Sequence, residues 1–149
     1  MKKIFLFLLA GSIIILSSHT YKVVNSFGEK AEIKSFSKPD EVREFPKGKV
    51  ELVTINGATI AKATFQPGWK WSESVQPIAK TKSCEAPHFQ YHVSGVLNVK
   101  MDDGTILECK AGDISFFPMG HDAWVVGNEP VVVVDFHGMK EYGKMKEKN

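Results

Sequence analysis

The feature that most limits what this chain can fold into is its punctuation. Between Val50 and Phe136, short apolar or alternating runs are interrupted by turn residues every eight to twelve positions. The runs cover residues 50–55, 59–65, 88–94, 96–101, 105–110, 114–117, 123–126 and 131–136. Among the breaks are Asn56-Gly57, Asp102-Asp103-Gly104, Ala111-Gly112-Asp113, Pro118-Met119-Gly120 and Gly127-Asn128-Glu129-Pro130. Asn-Gly between two such runs is a hairpin signal, because both residues tolerate the positive φ that a tight turn needs. The spacing predicts about eight short antiparallel strands and almost no helix, in a sandwich or small barrel. Residues 38–43 are the exception, where an early proline followed by acids predicts one turn of helix. Trp69 and Trp71 fall in an aromatic, loop-like segment that reaches Pro77.

The flanks read differently. Met1-Lys2-Lys3 is a short basic start, residues 4–16 are apolar, and Ser17-Ser18-His19-Thr20 is a small polar exit. That order predicts an export signal over residues 1–20, and the apolar run is short for a membrane span. No cysteine follows it, so no lipid anchor is expected. The mature chain would then be periplasmic or extracellular, without a stable membrane anchor. Cleavage removes Lys2 and Lys3 from 19 basic residues, leaving 17 against 17 acids and a net charge of zero. With no basic stripe and no aromatic–basic alternation, no nucleic-acid partner is expected. The remaining length suits one domain with a real core. Residues 21–47 would form an N-terminal arm, 48–137 the domain, and 138–149 a polar, solvated tail.

Soft and imidazole donors gather in one part of the chain. They occur in Cys84-Glu85-Ala86-Pro87-His88-Phe89-Gln90-Tyr91-His92 and again in Pro118-Met119-Gly120-His121-Asp122-Ala123-Trp124. A hairpin and a Gly-Asp turn between them allow both ends to return to one place. Alternate residues of a strand share a face, so Lys82, Cys84, His88, Gln90 and His92 can point the same way.

These segments resemble a family, the single-domain cupins, over roughly residues 48–137. Cupins carry two motifs, G-x5-H-x-H-x3-4-E-x6-G and G-x5-P-x-G-x2-H-x3-N. Counting back from Gly95, His88 stands where the family has its glutamate and Cys84 where it has its second histidine. Lys82 replaces the first histidine and Gln76 the opening glycine. Gly112, Pro118 and Gly120 keep the second motif's spacing, while His121 follows Gly120 directly and Val125 replaces the terminal asparagine. A loop two residues shorter, with the histidine retained, accounts for the shift. The resemblance implies a single jelly-roll β-barrel with one divalent metal inside it, held here by a substituted set: Cys84, His88 and His121. One thiolate and two imidazoles suit zinc with an open fourth position better than iron or manganese. Glu85, Asp122 or a water would complete the shell, and the metal would keep the thiol deprotonated.

Other residues carry two readings each. Trp69, Trp71 and Trp124 suit the wall of a small-molecule pocket and equally suit core and lid packing. Gln90, His92 and Asp122 would orient a substrate or move protons, although Asp122 also fits an Asx cap. Cys84 pairs with Cys109 in a disulfide if the metal is absent, or is simply a small buried hydrophobe. A Cys84/His121 nucleophile pair lacks a third, orienting group in the sequence. Two functions follow from different classes. One is a metal site acting as Lewis acid or water activator on a small polar substrate. The other is a non-catalytic module that captures a small molecule between the three tryptophans without metal. A homodimer is left open.

Overall fold

The computed structural model describes residues 30–144. The export signal expected over residues 1–20 therefore lies outside the described residues. Nine strands are present among the described residues: β1 (Glu41–Phe45), β2 (Gly48–Ile55), β3 (Ala58–Phe65), β4 (His88–Ser94), β5 (Val96–Met101), β6 (Ile106–Lys110), β7 (Ile114–Phe117), β8 (His121–Val126) and β9 (Val131–His137). Two single-turn helices, α1 (Trp71–Ser74) and α2 (Gln76–Ala79), occupy the segment expected to be loop. All ladders are antiparallel.

The eight expected strands are all found, and β1 is the ninth. It corrects the helical turn predicted over residues 38–43. A lone turn leaves its backbone groups unsatisfied and nucleates poorly, whereas this segment finds a five-residue ladder on β2, from Glu41 opposite Leu52 to Phe45 opposite Gly48. Asn56 and Gly57 make the β2–β3 turn with φ of 46° and 78°, the double positive φ that this hairpin requires.

The strands divide into a six-stranded sheet, ordered β1-β2-β3-β9-β4-β7, and a three-stranded sheet, ordered β6-β5-β8. The expected closed barrel is corrected on this point: among the described residues no ladder joins the two sheets. Two isolated bridges, Lys70 with Trp124 and Cys84 with His121, tie the segment between β3 and β4 to β8 of the smaller sheet. The reason is local, since residues 66–87 form turns and short helices where a closed barrel needs a strand. From β4 onward the chain passes back and forth between them, with β4, β7 and β9 in the larger sheet and β5, β6 and β8 in the smaller, and their inward apolar residues share one core. Val50, Leu52, Ala61, Ala63, Phe65, Leu97, Val99, Val131 and Val133 fill that core. Cys84 and Cys109 are both buried as free thiols, so no disulfide joins them.

The C-terminal segment departs from the solvated tail expected for it. Met139 and Tyr142 are buried in the core cluster. Arg43 fixes them from the other end of the fold, donating to the carbonyls of Met139, Lys140 and Tyr142 at 3.1, 2.7 and 2.7 Å. The lysines of this tail hid its two apolar anchors.

Candidate metal centre

At one end of the core, strand parity turns polar. β4 buries His88, Gln90 and His92, β9 buries Asp135, and β8 begins with buried His121. Cys84 lies four residues before β4 proper, in an isolated bridge. Its backbone N–H donates to the His121 carbonyl at 2.8 Å, and its own carbonyl accepts from Gly120 N–H at 2.8 Å. This pairing sets Cys84 directly opposite His121. One donor atom each from Cys84, His88 and His121 lies within 4.8 Å of the other two.

The imidazoles are oriented from behind. His88 Nδ1 donates to Asp135 Oδ2 at 2.8 Å, and His121 Nδ1 donates to the Pro118 carbonyl at 2.8 Å. Each Nδ1 is therefore committed as a donor, and Nε2 is the nitrogen left to face Cys84 or an ion, the orientation metal-binding histidines generally show. Asp135 Oδ2 also accepts from Gln90 Nε2 at 3.0 Å, and its Oδ1 accepts from the His137 backbone N–H at 2.8 Å. Sequence reasoning missed this carboxylate. The signal was present: Asp135 shares the inward parity of Val131 and Val133, where a charge must have partners.

Burial and neighbours shift both members of the central pair. Burial raises the Cys84 thiol, but hydrogen bonds from His121 and His88 outweigh it and bring it down to about 6. Burial pulls His88 down, yet the Asp135 hydrogen bond and the Cys84 sulfur carry it up to about 9. In metal-free protein the pair is then thiolate and imidazolium between pH 6 and 9. Titrating metal-free protein by thiolate ultraviolet absorbance should show the signal present at neutral pH and lost as pH falls through about 6. A thiol titrating near the ordinary value of 9.0 would contradict it.

A cavity of about 20 Å³ adjoins the cluster, lined among others by Trp69, Trp71, Gln90 and Tyr142. That is room for one water-sized body. Gln90 Oε1 and the indole N–H groups of Trp69 and Trp71 are buried with no protein partner. Buried polar groups are nearly always paired, so this wall offers two donors and an acceptor to whatever fills it. Tyr142 packs edge-on to the His88 ring at 5.5 Å. Burial, with Cys84 and Asp135 adding to it, holds its phenol well above the ordinary range and so neutral. A larger groove of about 1040 Å³ lies outside, and Trp71, Cys84 and Tyr142 line both spaces.

Several sequence expectations are corrected here. Lys82 is exposed, not inward. Glu85 is exposed on the outer groove. Asp122, adjacent to His121 on a strand, faces the other way, where its Oδ1 accepts the Ser72 N–H at 3.0 Å and braces the start of α1. This is a long-range brace, in place of the Asx cap of its own turn that the sequence suggested. Trp124 shares that outer face beside Lys70 and Lys100, so the three tryptophans do not form one pocket. His92 bonds Ser115 Oγ at 2.8 Å and does not line the inner cavity; burial lowers its pKa.

No family model matches the chain, and no curated protein does. Solved structures do. An RmlC-like cupin from Shewanella frigidimarina NCIMB 400 is 20% identical with a TM-score of 0.51, covering 74% of this chain and 96% of its own. A protein with a double-stranded beta-helix domain from Klebsiella pneumoniae subsp. pneumoniae MGH 78578 is 22% identical with a TM-score of 0.51, covering 84% of this chain and 100% of its own. At such identities the likeness defines a fold. The chain has the cupin, or double-stranded β-helix, fold.

Proposed function

We propose that this protein is an exported cupin that holds one divalent ion on Cys84, His88 and His121, zinc before others, and takes a small molecule in the outer groove. One distance carries the reading. A tetrahedral zinc with ordinary bond lengths sets a sulfur and a nitrogen ligand about 3.6 Å apart, and Cys84 Sγ lies 3.6 Å from His88 Nε2. A thiol–imidazole hydrogen bond would also fit that distance. The ion is favoured by the third donor and by two Nδ1 protons already committed elsewhere.

Bound zinc with an open position supplies Lewis acidity and a water of lowered pKa. The chain's own residues do the rest. Asp135 and the Pro118 carbonyl hold the rings, Trp69 and Trp71 offer N–H donors beside the site, and Tyr142 shields it from bulk water. The groove meets the cluster at Cys84, so a small molecule would approach from there. The tight inner space also supports a second reading, a metal-free module that binds its ligand in the groove alone.

Metal analysis separates the two. After incubation with zinc and desalting, wild-type protein should carry about one ion per chain, and Cys84→Ala and His88→Ala none. Wild-type protein that stays metal-free, yet melts higher with a small-molecule ligand, would establish the second reading instead.

A further inference from the structure

The outer face of the six-stranded sheet is divided. Over β2 and β3 it carries charge, with Glu51 between Lys49 and Lys62 at 3.4 and 2.8 Å. Over β9, β4 and β7 it carries none. The outward positions of these strands are Val132, Val134 and Phe136, then Phe89, Tyr91 and Val93, then Ile114 and Phe116. Ladder register makes them one surface: Phe89 lies opposite Phe116, and Tyr91 lies opposite both Ile114 and Val134. Phe89 and Phe136 already touch, with ring centroids 5.9 Å apart.

These side chains stand in water to an unusual degree. Ile114 is 71% and Phe116 62% exposed, and Phe89, Tyr91, Val93 and Phe136 lie between 42% and 47%. With side chains of this size the six leave about 600 Å² of apolar surface uncovered, the upper end of what a monomer tolerates. Standard interfaces bury about 800 Å² per partner, with aromatic centres depleted of charge. The patch therefore supplies most of such a contact. It also runs to the sheet's edge, since among the described residues β7 has a neighbour only on its β4 side.

We infer that the β9-β4-β7 face is a homodimer interface, in which two copies pack this face together about a twofold axis. A twofold contact brings a patch against itself, so it must tolerate its own chemistry. An uncharged aromatic–aliphatic surface does so, whereas one rich in a single charge would not. The same lack of charge argues against a lipid surface, which surface-bound elements meet with Lys and Arg around their apolar residues. It argues equally against an acidic or basic protein partner. The inference is independent of the ion.

Sedimentation of the purified chain across a dilution series tests it. Wild type should run as a dimer above about 1 μM. Phe116→Lys and Ile114→Lys should each weaken association at least 30-fold, about the effect of losing an interface anchor. Both positions are exposed in the single chain, so circular dichroism and melting of the separated chains should match wild type. Lys49→Ala, on the charged half, should leave the dimer intact. A wild-type monomer at every concentration overturns the inference. So does a dimer that survives both lysine substitutions. A monomer that dimerises only after residues 1–29 are trimmed would assign the patch to the chain's own N-terminal segment, and a monomer that sediments with phosphatidylcholine vesicles would assign it to lipid. Either result overturns the homodimer.

Discussion

Asp135→Ala is expected to lower folding stability by about 3–5 kcal/mol, the usual effect of removing one partner from a buried charged pair. The carboxylate is fully buried and accepts from His88, Gln90 and the backbone at 137. Removing it strands three donors, one on a ring that Asp135 itself helps to keep protonated. Asp135→Asn is the gentler variant. An amide has one acceptor oxygen, so if it keeps His88 and Gln90 its NH2 faces the His137 N–H. Its fold should survive while zinc affinity drops about 10- to 100-fold, as when other groups behind metal-bound histidines are lost. Thermal melting and competition with a chelator read the two effects separately. Unchanged zinc affinity in Asp135→Asn would mean that the carboxylate serves packing alone.

The second large effect is expected at a residue with no side chain. Gly138 has φ +112, and a Cβ there would sit 1.8 Å from the Pro87 carbonyl oxygen and 3.2 Å from His88 Nδ1. The first contact is with backbone, so no rotamer relieves it. Gly138→Ala should therefore destabilise by at least about 3 kcal/mol, combining backbone strain with overpacking. It should also lift residues 139–144 off the cluster, seen as faster amide exchange in that segment and faster loss of zinc. Gly112→Ala is the control, since φ is +95 but nothing lies within 4 Å of the added Cβ. If both alanine variants lose the same stability, the strain is torsional and the close crossing over Pro87 does not matter.

Much of this was legible from residue order. Strands β4, β5 and β7 begin and end where their flanking Gly, Pro and Asp residues placed them, because those residues act locally on φ and ψ. The convergence of Cys84, His88 and His121 was expected from motif spacing, and the structure brings their donor atoms together. The misses have identifiable causes. At residues 38–43 helix-start residues coincided with an edge strand whose ladder partners lie three to eleven residues further along, so the helix-start signals lost to a hairpin ladder. Asp122 and Trp124 were drawn into the site by nearness in sequence, although odd spacing from His121 puts both on the opposite face. Tyr142 and Met139 reach the cluster only because the chain crosses at Gly138 and Arg43 holds it there, a long-range arrangement that no local pattern announces.

One strand carries a last implication. β4 turns histidine, glutamine and histidine toward the interior and phenylalanine, tyrosine and valine toward solvent, so judged by hydrophobicity alone it is inside out. A slip of one residue would invert every side chain along it and would satisfy water better. What opposes that slip is the company the strand keeps, Asp135 and Ser115 inside and, in the dimer we infer, a matching face outside. Occupancy of the site and assembly of the pair would thus act as proofreaders of β4 register, and protein made without either should be the most prone to trap the wrong one.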